Sequence, residues 1–190
     1  MSWNVLIVDD HEVARIGLSW LLDNPSFHVA GSVATAAEAL QCLADKPIDL
    51  VVLDLRLSDG SGLKLLEEIC NSRPEIAVVV LSAYENPTYI ARAAALGAAD
   101  YLLKSIPSQT LLRTLQRILK GNATDADSLL FLIQKTMQKT VDVRMLPSDF
   151  PLTAREAQVL RHVALGLSNK EIAKSLCISI ETVKEHVQHV

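Results

Sequence analysis

Leu50-Val51-Val52-Leu53-Asp54 is the stretch whose reading decides the fold: four apolar residues in unbroken succession end in a carboxylate. A strand with no polar alternation is covered on both faces, as in a parallel sheet flanked by helices. Asp54 then sits at the carboxyl end of that strand. In open α/β sheets the crevice beyond those ends is where ligands bind. Three other apolar runs finish the same way. Val5-Leu6-Ile7-Val8 leads into Asp9-Asp10, Ala77-Val78-Val79-Val80-Leu81 into Ser82, and Tyr101-Leu102-Leu103 into Lys104. Four strands thus deliver polar groups to one rim.

Between these strands the apolar spacing turns helical. Val13, Ile16, Gly17, Trp20 and Leu21 recur at helix period until Pro25, and a strand at Phe27 to Val33 follows. Thr35-Ala36-Ala37-Glu38 is a capping box that opens a helix ending near Pro47. After Asp54 comes a Ser/Asp/Gly turn at 58–62, then a helix closed by Pro74. Asn86-Pro87 supplies a cap and a first-turn Pro for a fourth helix, and Gly97 stops it. A strand from Ala99 to Leu103 and a helix from about Pro107 to Lys120 complete five βα units. The prediction is a mostly parallel sheet with right-handed crossovers.

Asn122 to Asp127 is small and polar, a linker, and Leu129, Ile133 and Met137 then fall on one face of a helix over 129–139. Pro147 to Pro151 forms a second break. Beyond it the pattern is all helical. Thr153-Ala154-Arg155-Glu156 and Ser168-Asn169-Lys170-Glu171 are capping boxes, and Cys177-Ile178-Ser179 is a short turn before a helix from about Ile180. Two short helices about a tight turn have helix-turn-helix geometry.

Composition excludes several classes. The chain has 190 residues, 49% hydrophobic and 21% charged, enough for two unequal modules with a substantial core. A net charge of -4 argues against a protein that coats nucleic acid or an anionic membrane by bulk attraction. The three cysteines, Cys42, Cys70 and Cys177, are too widely spaced for a zinc cluster or a disulfide framework. With neither leader nor bilayer-length apolar run, the expected location is the cytoplasm.

At the rim, Asp9, Asp10 and Asp54 would repel one another, and a hard divalent cation relieves that. Mg²⁺ prefers oxygen ligands and is usually held by one or two carboxylates plus phosphate oxygens. Asp54 is then a nucleophile toward phosphorus, with Lys104 stabilising charge on the transferring oxygens and Ser82 hydrogen-bonding one of them.

These residues resemble the receiver domain of two-component response regulators over about the first 120 positions: the acidic pair, Asp54, Ser82-Ala83, and Leu102-Leu103-Lys104-Ser105. The resemblance implies a flavodoxin-like, doubly wound sheet in the order 2-1-3-4-5 and phosphotransfer to Asp54 from a sensor histidine kinase. It also implies Mg²⁺ held by Asp10, Asp54 and the backbone carbonyl of Arg56, with Asp9 acting through water. Ser82 and Tyr101 would be the switch pair, the hydroxyl moving toward the phosphoryl group and the ring turning inward. Arg56 and Tyr84 would flank the phosphoryl group and tune its lifetime. Ser58-Asp59 departs from the Pro-Gly common in the loop after the phosphoacceptor.

The C-terminal part resembles the helix-turn-helix of the NarL/FixJ family, the LuxR type, through Leu152 to Glu156, Gly166 to Ala173 and Thr182 to Val187. Base-reading positions of that family fall on Lys184, Glu185 and Gln188, and Ser168, Asn169 and Lys170 would approach phosphates. Five basic residues of this module are matched by five acidic ones, so DNA affinity is expected to be modest and salt-dependent. The recognition helix reaches only Val190 and the family's final helix is missing, so this form is expected to be truncated and to bind DNA weakly or not at all. Val183, Val187 and Val190 would then lack part of their cover.

The expected organisation is a receiver over 1–121, a linker over 122–147, and a small all-α helix-turn-helix domain over 148–190. The expected function is a DNA-binding transcriptional regulator switched at Asp54, dimerising on activation and without a membrane segment. It would be a phosphoacceptor rather than an enzyme, at most dephosphorylating itself. The alternative is a phosphoacceptor or interaction module whose helix-turn-helix does not bind DNA by itself. An aspartyl-phosphate phosphatase needs a second acid two residues after the nucleophile, where this chain has Arg56.

Overall fold

The computed structural model describes residues 2–122, 128–138 and 152–189. Strands β1 (Trp3–Val8), β2 (Phe27–Val33), β3 (Leu50–Leu53), β4 (Ala77–Ser82) and β5 (Asp100–Leu103) form one sheet in the order β2-β1-β3-β4-β5. Every pairing is parallel. Helices α1 (Glu12–Leu22), α2 (Ala36–Asp45), α3 (Gly62–Ser72), α4 (Pro87–Leu96) and α5 (Ser108–Leu119) alternate with the strands. This is the doubly wound receiver architecture that the sequence predicts.

Strand period explains the two cores. Side chains alternate between faces, so Val5, Ile7, Leu50 and Val52 pack with Leu18 and Leu22 of α1 and Leu111 and Leu115 of α5. Leu6, Val8, Val51 and Leu53 pack on the opposite side with Leu43, Leu65, Leu66, Ile69 and Ile90 from α2, α3 and α4. Both faces of β1 and β3 are buried, which is why these strands carry no polar alternation.

The predicted helix signals act as read. Thr35 and Glu38 close a reciprocal capping box on α2, and Asn86 accepts from the amides of Thr88 and Tyr89 at the start of α4. Gly97 ends α4 at φ 104°, a left-handed conformation that glycine adopts without steric cost. Gly62 answers to a different constraint: a Cβ there would lie 2.3 Å from the Leu55 carbonyl oxygen, so α3 begins against backbone.

A connecting helix α6 (Leu129–Gln138) lies against α4 and β5, with Leu130 and Met137 buried. Lys139, the last residue of the predicted helix, lies outside the described residues, as do 123–127 and 139–147 of the linker and 148–151, including the Pro147 to Pro151 break. Helices α7 (Ala154–Ala164), α8 (Asn169–Leu176) and α9 (Ile180–His189) follow. Both predicted capping boxes, at Thr153 with Glu156 and at Ser168 with Glu171, are formed.

One expectation is corrected. Val183 does not lack cover: it is fully buried with Val159, Leu167 and Ile172 against Ala91 and Ala95 of α4. Its cover comes from within the helical domain, where α9 packs against α7 and α8. Val187 is exposed, and Val190 lies outside the described residues.

Candidate functional site

The rim is set by backbone hydrogen bonds that prolong the sheet past its strand ends. The Asp9 amide donates to the Val33 carbonyl, the Asp54 amide to Val8, and the Lys104 amide to Ser82. Neighbouring strands therefore present Asp9, Asp54, Ser82 and Lys104 at nearly one level.

Lys104 joins them. Its Nζ lies 2.6 Å from Asp54 Oδ2 and 2.6 Å from Asp9 Oδ2. Asp54 is only 4% exposed and Asp9 is similarly buried. Burial acts to lower the Lys104 pKa, but its hydrogen bonds to Asp54 and Asp9 outweigh that and hold it above the ordinary lysine value. The other carboxylate oxygens are spent locally: Asp54 Oδ1 accepts from the Arg56 amide, and Asp9 Oδ1 from the His11 amide.

Asp10 is different. Its Oδ1 is buried without a directed hydrogen bond and has His11 Nδ1 beside it at 2.9 Å. One ligand atom from each of Asp9, Asp10, His11 and Asp54 can be chosen so that all lie within 4.8 Å of one another. Three carboxylates, one of which keeps a buried oxygen without a directed hydrogen bond, are a donor set suited to a hard divalent cation. His11, which sequence reading missed, has no pattern to betray it beyond its place next to the acidic pair.

A cleft opens above Asp54, lined by His11, Val13, Ala14, Arg56, Ala83, Tyr84 and Lys104. The Arg56 guanidinium stacks 4.8 Å from the centroid of the Tyr84 ring, a cation–π contact in the lining of the cleft that Asp54 shares. Ser82 Oγ accepts from the Tyr84 amide. The Tyr101 hydroxyl donates to the Tyr84 carbonyl at 2.8 Å. The Tyr101 ring lies inward, 1% exposed. Its hydrogen bond and the α6 residues over β5 hold it there, and burial pushes its hydroxyl pKa up.

The loop after Asp54 keeps a compact turn without Pro-Gly. Asp59 accepts from the Ser61 amide and hydroxyl, and Gly60 takes φ 68°.

In the C-terminal domain, Lys184, Glu185 and Gln188 are all exposed on α9. The residues expected at phosphates lie at the start of α8, where Ser168 is occupied as its cap. Asn169 is half-buried, and Lys170 Nζ reaches Glu67 Oε1 of α3 at 2.6 Å. The structure thus leaves Lys184, Glu185 and Gln188, the residues expected to read bases, on an open face and pairs Lys170 with the receiver.

Comparison with known proteins gives two family matches: the response regulator receiver domain over residues 5–116 and the LuxR family of bacterial regulatory proteins over 150–190. The response regulator protein VraR of Staphylococcus aureus is 31% identical over 191 aligned positions, covering 100% of this chain and 89% of VraR. Among solved structures, the Salmonella typhimurium RcsB response regulator is similar at 25% identity and TM-score 0.62, over 99% of this chain and 89% of RcsB. ChrA, the response regulator of a heme-sensing two-component system, is similar at 28% identity and TM-score 0.55, over 100% of this chain and 88% of ChrA. An RcsB–DNA complex is also similar, at 25% identity and TM-score 0.63.

Proposed function

Because this chain belongs to the response regulators that join a receiver to a LuxR-type DNA-binding domain, we propose that phosphorylation of Asp54 controls its binding to DNA. The reading takes 1–121 as the receiver, 122–147 as the linker and 148–190 as the DNA-binding domain. The observation that carries it is the Lys104 bridge, which pins an ammonium 2.6 Å from the one carboxylate that faces the open cleft beyond β3.

The acceptor works by nucleophilic displacement. An Asp54 carboxylate oxygen attacks the phosphorus of a phosphohistidine, the P–N bond breaks, and the imidazole nitrogen leaves with the electron pair. Lys104 and the Ser82 hydroxyl then face phosphoryl oxygens in place of carboxylate ones. Asp10, Asp54 and the Arg56 carbonyl, with Asp9 through water, would hold Mg²⁺, which supplies positive charge against the phosphoryl oxygens. Arg56 and Tyr84 cover the site and limit attacking water. Autodephosphorylation is the only turnover assigned.

The phosphodonor is a protein, a sensor histidine kinase. Val13 lines the cleft, and with Ile16 and Trp20 it makes an exposed apolar stripe leading away along α1, a surface fit for a protein partner. The added charge of about -1.5 to -2 biases Ser82, Tyr84 and Tyr101, which hydrogen bonds already link. DNA is read by Lys184, Glu185 and Gln188, with Ser168, Asn169 and Lys170 at phosphates, and the activated form is a homodimer. Among the described residues no helix is long and apolar enough to cross a membrane, and the site of action is the cytoplasm.

The test is phosphorylation in vitro. With a small-molecule phosphodonor and Mg²⁺, the chain gains one phosphoryl group labile at high pH, and Asp54→Asn gains none. Equal labelling of Asp54→Asn would overturn the assignment.

A further inference from the structure

His11 stands at a helix cap and does not cap. It precedes α1, at a position that favours Ser, Thr, Asp or Asn, and its side chain makes no hydrogen bond to the first amides of the helix. The ring lies instead against the acidic pair. Its Nδ1 is 2.9 Å from Asp10 Oδ1 and 3.4 Å from Asp9 Oδ1, and the residue lines the cleft that Asp54 shares. The His11 amide donates to Asp9 Oδ1, so the backbone fixes the residue beside these carboxylates whatever its side chain.

The two closest atoms are informative in their orientation. At 2.9 Å a ring N–H aimed at the oxygen would make a good hydrogen bond, yet Asp10 Oδ1 is buried with no directed hydrogen bond. The nitrogen and the oxygen lie side by side rather than head-on. Adjacent ligands of one octahedral cation stand in that way: with bonds of about 2.1 Å, neighbouring donor atoms are about 3.0 Å apart and point at the ion, not at each other. One donor atom from each of Asp9, Asp10, His11 and Asp54 can lie within 4.8 Å of the rest. The His11 side chain is 69% exposed, so its other ring nitrogen can carry the tautomeric proton in water while Nδ1 offers a lone pair.

We propose that His11 Nδ1 is a direct ligand of the cation at this rim, completing a mixed nitrogen and oxygen set that favours first-row transition ions such as Mn²⁺ or Co²⁺ over Mg²⁺. Carboxylate, carbonyl and water ligands suit Mg²⁺ and Mn²⁺ alike, whereas imidazole raises the affinity for later and softer ions. With Asp10, Asp54 and the Arg56 carbonyl, His11 leaves room in an octahedron for a phosphoryl oxygen and for the water through which Asp9 acts. The inference rests on the reading above that Asp10 and Asp54 hold the cation, and it adds to that reading a ligand and a metal preference.

The test uses the full chain without a phosphodonor. Mn²⁺ is titrated in, its bound fraction is read from loss of the free-ion paramagnetic resonance signal, and the spin-echo modulation of the bound ion reports whether a nitrogen is directly attached. The parent shows nitrogen modulation. His11→Ala, which keeps the backbone amide on Asp9, binds Mn²⁺ without it. In calorimetry His11→Ala weakens Co²⁺ binding at least about tenfold, the loss that removing even an outer-shell partner brings, and leaves Mg²⁺ binding within about twofold. Mn²⁺ bound by the parent with no nitrogen modulation, modulation that survives in His11→Ala, or equal weakening of Co²⁺ and Mg²⁺ would each overturn the proposal. Asp10→Asn separates the underlying reading, since it loses the ion if the rim is where the ion sits. If the parent takes up no ion, or Asp10→Asn binds Mn²⁺ as tightly as the parent, the rim does not hold the cation and that reading falls together with the inference.

Discussion

At the residue scale the polar groups of the cleft gather about Asp54. Lys104 bridges Asp54 and Asp9, and the stacked Arg56–Tyr84 pair of the cleft lining is the proposed roof. If that roof limits water, replacing both Arg56 and Tyr84 by Ala shortens the lifetime of the phosphoryl group by about three- to tenfold, or roughly 0.7–1.4 kcal/mol of barrier. Loss of label after removal of the phosphodonor measures it, and an unchanged rate would show that the roof does not govern hydrolysis. Asp9, Asp10, Asp54, Ser82 and Lys104 were legible in the sequence because each follows an apolar strand, and parallel strands bring such residues to one edge. His11 was not, since a single histidine carries no periodic signal. The packing of α6 over β5 and Tyr101 was also illegible, because residues near β5 in sequence do not reveal it.

At the element scale, local signals were strong where caps and stops write themselves into sequence. The boxes at Thr35, Thr153 and Ser168 and the Gly97 stop all lie where they were read. Packing between helices was less visible. His162 of α7 is fully buried, its Nδ1 2.7 Å from the Gln158 carbonyl and its Nε2 3.0 Å from Ser175 Oγ of α8. Burial is the main cause that holds its pKa below the ordinary 6.5, and the nearby charges of Arg161 and Arg155 add to it. The sign follows from linkage. The folded domain disfavours the protonated ring, so the stability contribution is complete above about pH 6.5 and is lost as pH falls from there toward the depressed value. The unfolding temperature of the helix-turn-helix helices is therefore steady above about pH 6.5 and falls as the pH drops below it, and His162→Gln flattens the dependence. An equally steep decline in His162→Gln would place the titration elsewhere.

At the scale of the whole molecule, the order of domains was legible but their contact was not. Arg92 and Glu171 stand 79 positions apart, and nothing in either local pattern announces that they meet. Val183, which the sequence alone left uncovered, is buried where α9 packs against α7 and α8. Glu171 is also drawn into its own cap. Burial acts to raise its pKa, but Arg92 and Ser168 outweigh that and lower it, so this carboxylate remains ionised through the neutral range. A receiver, a linker helix and a DNA-binding domain thus share one continuous packed surface through α4, and a change at Asp54 has a physical route to α8.

The most direct measurement of the central claim is DNA affinity as a function of the state of Asp54. Duplexes selected from a random pool are titrated with the chain and with Asp54→Asn, each with and without a small-molecule phosphodonor and Mg²⁺, while phosphoryl incorporation is followed in parallel. The account predicts that affinity rises with incorporation in the parent and stays flat in Asp54→Asn. A parent fully phosphorylated yet unchanged in affinity, or an Asp54→Asn chain that responds like the parent, would contradict it.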